Sequence, residues 1–375
     1  MTVTLTNAKL ITENGIVDGT LVYGPHGIVD IQPGRAAAGE DVDGDFIAPG
    51  LIECHTDNLE KHFVPRPGVI WPNALSAALV HDAQVVAAGI TTVYDAVCIG
   101  GYDDEKDHRP KIIGPMVEAV GSGMRQGLFR ADHRLHFRCE TTDPRMMQVL
   151  ERTAHTPLLK LASLMDHTLG QRQWRDMKLY RRFMTGEGRT DAEIDGIIGA
   201  KIEATSAEAA RNFPKAAEFF RTQGIQIASH DDTTPEHVTM AKALGCSISE
   251  FPTTVEAAQD ARAAGMMTVL GAPNVVRGGS HSGGVAVSDL AAHGLVDVLS
   301  SDYVPASLLQ AVMTLSAGVP LHAAFGLVTW KAADMLGLED RGRLTPGLRS
   351  DFVRVRIVDG TPVIRAVTVE GQRVF

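Results

Sequence analysis

The chain has 375 residues, 44% hydrophobic and 21% charged, a globular composition that excludes a disordered or fibrous chain. A formal net charge of -10 argues against a sequence-independent hold on nucleic acid. An aromatic content of 5% supports no base-stacking platform.

The first 48 residues carry short apolar runs (Val3, Leu5; Leu10, Ile11; Ile16, Val17; Leu21, Val22) broken by Gly15, Gly19, Gly24 and Gly27. That pattern predicts small antiparallel strands. From there, apolar strand-like runs alternate with helical stretches, the mark of βα units and a parallel sheet. Strands are predicted at 48–53, 90–96, 134–140, 158–165, 226–229, 246–251, 267–271 and 297–301. Eight such units imply a (β/α)8 barrel of the TIM type, an α/β fold, with an open doubly wound sheet as the alternative. The polar, Ala- and Glu-rich stretch of about 170–224 is too long for a simple loop and predicts a helical insertion. The final residues return to short strands, with Asp359-Gly360 as a turn. Residues 1–48 and 344–375 are therefore expected to build one small β-sandwich domain, and 49–343 the barrel.

Cys54, Cys98, Cys139 and Cys246 form no CxxC pair and lie in or beside apolar runs, as reduced core residues of a cytoplasmic protein do. The opening MTVTLTNAKLI has neither a basic n-region nor a long apolar stretch, so no signal peptide or membrane span is expected.

Each predicted strand stops at a group able to bind a metal or move a proton: His55 and Asp57, Asp95, His136 to Glu140, Asp166 and His167, His230 with Asp231 and Asp232, Glu250, Asn274 and Arg277, and Asp302. Barrel enzymes draw their catalytic groups from these strand ends. His55 and Asp57 stand at i and i+2 of a strand, so both face one side and can reach one ion. Imidazoles with carboxylates suit zinc, and added oxygen ligands move the preference toward manganese or magnesium. His108, His133, His155, His237, His293 and His322 lack strand-end placement and read as structural or surface residues.

Residues 43–55, DGDFIAPGLIECH, resemble the first-strand signature of the amidohydrolase superfamily, and 342–353, GRLTPGLRSDFV, the return of such chains into their β-domain. A longer set is similar to the phosphonate-metabolism branch of that superfamily, the triphosphate diphosphatases of the carbon–phosphorus lyase pathway. It comprises HTDNLEK at 55–61, SLMDH at 163–167, GQRQ at 170–173, ASHDD at 228–232, EFPTT at 250–254, GAPNVVRGGSHSG at 271–283 and SSDY at 300–303. The resemblance implies a phosphorylated-sugar substrate, a ribose 5-triphosphate bearing a 1-methylphosphonate. Water would attack its α-phosphorus, releasing pyrophosphate. The superfamily's usual His-x-His is here His55-x-Asp57, and its usual bridging lysine has no clear counterpart, since Lys160 comes early in its strand.

On this reading His55, Asp57, His167 and His230 hold one or two divalent ions, zinc or else manganese, with Glu140 as a bridge. Asp302 takes the proton from the attacking water and can touch the metal, and His230 shares the catalytic centre. Asn274, Arg277, Ser280 and His281 lie in a Gly-rich run suited to phosphate, and Lys61, Arg66 and Arg172 are further candidate phosphate contacts. A capped loop and solvated surface cations are the plain alternatives. Asp166, Asp231, Asp232 and Glu250 read as groups that orient the ligands. A cyclic-amide hydrolase or a deaminase would share the metal and Asp302, whereas a scaffold relative would have lost ligands. No nucleic-acid or membrane partner is expected, and a homo-oligomer is left open.

Overall fold

In the computed structural model the described residues are 2–101, 108–172, 177, 185, 190–280 and 284–375. Two sheets organise them. The first takes β1 (Val3–Thr12), β2 (Gly15–Gly24), β3 (Gly27–Pro33), β4 (Glu40–Asp41) and β5 (Phe46–Pro49) from the front of the chain. From the back it takes β14 (Phe352–Val358), β15 (Thr361–Val369) and β16 (Gln372–Arg373). The two ends meet where β14 pairs antiparallel with β5, Phe352 opposite Pro49. Most of this sheet is antiparallel, but β1 runs parallel to β4 and β5.

The second sheet is parallel and follows chain order without a crossover: β6 (Leu51–Thr56), β7 (Ile90–Ile99), β8 (Asp132–Glu140), β9 (Leu159–Met165), β10 (Gln226–His230), β11 (Ile248–Glu250), β12 (Met267–Gly271) and β13 (Val298–Ser300). A parallel bridge between Thr56 and Asp302 closes the barrel at its C-terminal rim. The Asp57 amide adds a 2.8 Å bond to the Asp302 carbonyl there. The predicted first strand is corrected: Ala48 and Pro49 belong to β5 of the other sheet, and the barrel begins at Leu51.

Helices α1 (Asn58–Phe63), α2 (Ala74–Ala87), α3 (Arg109–Arg125) and α4 (Met146–Thr153) are followed by α5 (Asp191–Thr222). Within the predicted insertion, α5 is one 32-residue crossover helix, opened by a capping box between Thr190 and Glu193. Among the described residues no helix is long and apolar enough to cross a membrane.

Inside the barrel, Ile52, Tyr94, Leu161, Ala228, Ile248, Val269 and Val298 form one apolar cluster with Ala332, Ala333 and Met335. Two residues further along a strand lies the next position on the same face. Leu161 is thus followed by Ser163, Ala228 by His230, Ile248 by Glu250, and Val298 by Ser300 and then Asp302. The dry floor is apolar and the layer above it polar, so the strands deliver their chemistry to the mouth. Asp231, Phe251 and Asp302, which end or follow β10, β11 and β13, have φ of 55°, 53° and 53°. Left-handed backbone at three non-glycine residues costs on the order of 1–3 kcal/mol each and is characteristic of functional sites.

Candidate active site

A cavity of about 300 Å³ opens at the mouth, bounded on its charged side by His55, Asp57, Arg138, His230, Asp231 and Asp302. Two sets of ligand atoms converge there, His55 with Asp57 and Asp302, and His167 with His230 and Asp231, each set within 4.8 Å. The barrel closure explains the first set: the Ser300 hydroxyl bonds the His55 carbonyl at 2.7 Å and locks the first strand to the last. The second joins the ends of β9 and β10, neighbours in the sheet.

The residues present fit a divalent ion. Asp57 Oδ1 and His230 Nε2 are buried without a hydrogen-bond partner, and His230 Nδ1 and Asp231 Oδ2 have only each other, at 3.0 Å. Such orphaned groups are costly unless something else satisfies them. Imidazole nitrogens and carboxylate oxygens are the donor set of zinc or manganese.

Protonation follows position. Burial raises the Asp302 carboxyl above its ordinary value, and the Asp57 charge adds to the effect. Burial also works to raise Asp57, but the Arg138 guanidinium and His55 outweigh it and hold Asp57 below the usual carboxylate value. In His167 the carboxylate of Glu140 overcomes burial and raises the imidazole.

Several expected roles change. Glu140, expected to bridge two ions, faces the Nδ1 of His167 and accepts from the Thr142 hydroxyl at 2.5 Å, so it braces that imidazole. Asp231, expected behind the ligands, brings a carboxylate oxygen within 4.8 Å of His167 and His230. Arg172 is buried, giving its guanidinium to the His230 carbonyl at 2.7 Å and to Asp232 at 2.8 Å. It holds the β10 end in place and is absent from the cavity wall. Asp232 accepts from Arg172, and Glu250 meets His55 Nδ1 at 3.1 Å. Asp166 caps its own loop through the Thr168 amide at 2.9 Å and Gln171.

The segment read as a Gly-rich loop begins as a short helix, Ala272–Arg277, which Gly278 ends in the left-handed conformation. Asn274 and Ser280 reach the cavity, and Asn274 also secures the turn by accepting from the Val287 amide at 3.1 Å. Arg277 is exposed and away from the cavity wall, and His281 lies outside the described residues. Arg66 is exposed in a turn with Val69. Lys61 lies over the ring of Tyr303, at 5.3 Å, and bonds its carbonyl.

Sequence reasoning placed His136 at a strand end without giving it a role, and it missed Arg138 as a site residue. Both share the inward parity of Glu140 on β8, and that alternation was the available signal. Arg138 Nη1 meets Asp57 at 2.5 Å, and His136 is buried between the Cys54 carbonyl and Ser163. Asp95 is corrected in the opposite sense. One residue after inward-facing Tyr94, it points away from the mouth to His81 at 2.6 Å and His133 at 2.7 Å.

No family model matches the chain. Among solved structures, N-isopropylammelide isopropylaminohydrolase from Burkholderia multivorans ATCC 17616 aligns over 100% of this chain and 98% of its own, with TM-score 0.65 and 16% identity. Imidazolonepropionase of Ruegeria sp. (strain TM1040) is 25% identical over 341 residues, 84% of this chain and 80% of the relative. What the chain shares with such proteins is the fold, a parallel eight-stranded barrel joined to a sheet built from both chain ends. Alpha-D-ribose 1-methylphosphonate 5-triphosphate diphosphatase of Escherichia coli (strain K12) is 42% identical over 378 residues, 99% of this chain and 100% of the relative. The chain belongs to that diphosphatase family.

Proposed function

We propose that the protein hydrolyses α-D-ribose 1-methylphosphonate 5-triphosphate to ribose 1-methylphosphonate 5-phosphate and pyrophosphate. The full-length identity of 42% to the diphosphatase carries this reading. The alternative, a cyclic-amide hydrolase or deaminase, has behind it the weaker likeness to imidazolonepropionase, at 25%.

In the reaction a bond forms between water oxygen and the α-phosphorus, and the anhydride bond to the β-phosphoryl oxygen breaks. A divalent ion held by His55, Asp57, His167, His230 and Asp231 would supply polarisation of water and neutralisation of phosphoryl charge. Asp302 accepts the proton of the attacking water, a task that suits a carboxylate whose pKa burial raises above its ordinary value. Glu140 and Glu250 orient His167 and His55. Pyrophosphate departs with the bridging oxygen, and positioning and electrostatics dominate such transfers. The partner is a phosphorylated sugar in the cytoplasm, and neither nucleic acid nor membrane has a part.

The test is turnover of that triphosphate in oxygen-18 water, followed by phosphorus NMR with the ion content of the protein measured alongside. Label in the sugar monophosphate, with unlabelled pyrophosphate, is the expected result. Label in pyrophosphate, release of orthophosphate, or no turnover by ion-replete protein overturns the reading.

A further inference from the structure

We propose that Arg138 is the fixed cation that receives the phosphoryl group under attack, an inference resting on the triphosphate reading above. The cavity wall carries three carboxylates, Asp57, Asp231 and Asp302, and among the described residues Arg138 is its one guanidinium or ammonium group. A polyphosphate cannot enter a site of that charge unless cations reverse the local field. Sequence alone pointed to Arg66, Arg172 and Arg277 for that task, and none of them lines the cavity.

Arg138 has the geometry for the role. Its backbone belongs to β8, a central strand of the barrel, so the side chain is mounted on a rigid element. Asp57 holds Nη1 at 2.5 Å and fixes the plane of the guanidinium. The rest of the fork is underused: Nη1 has one further, long contact to Cys98 Sγ at 3.9 Å, and Nε is buried with no partner. A guanidinium carries five N–H donors in a planar fork that matches phosphate oxygens two at a time. A buried donor left unmatched is costly, and an anion entering the cavity relieves that cost. Asp57 thus has two neighbours to serve, the ion and Arg138, and places the second where phosphoryl charge arrives.

The test uses purified protein with its ion content measured, and binding of inorganic pyrophosphate followed by calorimetry. Arg138→Gln removes the charge, and Arg138→Lys keeps the charge but loses the fork, providing a folded comparison if the glutamine variant is unstable. The expected result is unchanged ion content, pyrophosphate binding at least tenfold weaker in the glutamine variant, and an intermediate loss in the lysine variant. Pyrophosphate binding within twofold of wild type in both variants overturns the proposal, as does loss of the ion from Arg138→Lys, which makes Arg138 a support for Asp57 only. Failure of the wild type to bind pyrophosphate also overturns it. Wild-type protein that binds pyrophosphate through Arg138 yet leaves the ribose triphosphate intact removes the reaction and leaves the anion site standing.

Discussion

His55 Nδ1 and Glu250 Oε1 lie 3.1 Å apart although 195 residues separate them along the chain. Burial works to raise Glu250, but His55 and His136 outweigh it and hold the carboxyl well below its ordinary value. The carboxylate therefore accepts the Nδ1 proton of His55 and leaves Nε2 as the free lone pair. Glu250 is itself fixed by the Ser163 hydroxyl at 2.5 Å.

Removing that support has a measurable consequence. Glu250→Ala is expected to weaken divalent-ion affinity about 10- to 100-fold, the usual loss when a carboxylate behind a histidine ligand is deleted. Competition with a chelator reads the affinity directly. Unchanged affinity means that His55 does not hold the ion.

Asp302→Asn is expected to lower kcat by about 10²- to 10⁴-fold, the contribution of a positioned proton acceptor. Ion content measured on the same sample should stay near the wild-type level, because His55, His167, His230 and Asp231 remain. A variant that loses both ion and activity assigns Asp302 to ligation in place of proton transfer.

A buried network outside the active site makes stability pH-dependent. His133 stands 2.7 Å from Asp95 and 3.4 Å from Asp82. Burial pushes the imidazole down, but Asp95 and Asp82 outweigh it and raise the pKa from 6.5 to about 9. The folded value lies above the unfolded one, so this stabilisation is complete below pH 6.5 and is lost as pH rises through about 9. Asp95 shifts the other way, from 3.8 to about 2 against the pull of burial, so its contribution is present above pH 3.8 and is lost as pH falls through about 2. The thermal midpoint should fall between pH 6.5 and about 9. In His133→Gln that slope should flatten; an unchanged slope places the titrating group elsewhere.

Gly50 sits between the two sheets, after β5 and before β6. A Cβ there would lie 2.1 Å from the Thr91 hydroxyl oxygen and 2.5 Å from its methyl carbon. Gly50→Ala is expected to destabilise by about 1–3 kcal/mol, the cost of forcing extra volume into a packed interior. Urea unfolding of the variant measures it, and a midpoint equal to wild type would mean that β6 and β7 separate freely at this point.

Much of this molecule was legible in order along the chain. Periodicity and turn residues located the eight strands, because a βα unit is a local pattern of about 30 residues that needs no distant partner to be recognised. The ends of those strands then pointed to His55, His167, His230 and Asp302, because barrel topology brings strand ends to one face. The orientation and pairing of side chains at those ends depend on contacts between elements far apart in sequence. Asp95 and Glu140 both lie at or near strand ends, yet Asp95 turns outward to His81 and His133, and Glu140 meets His167. Arg172 and Arg138 are both basic residues near the site, yet one braces Asp232 and the other lines the cavity. Composition and spacing thus determined the barrel and the ring of candidate ligands. Only closure of the sheet, with Thr56 beside Asp302, decided which carboxylates face one another across the mouth, since no local period encodes a contact between the first strand and the last.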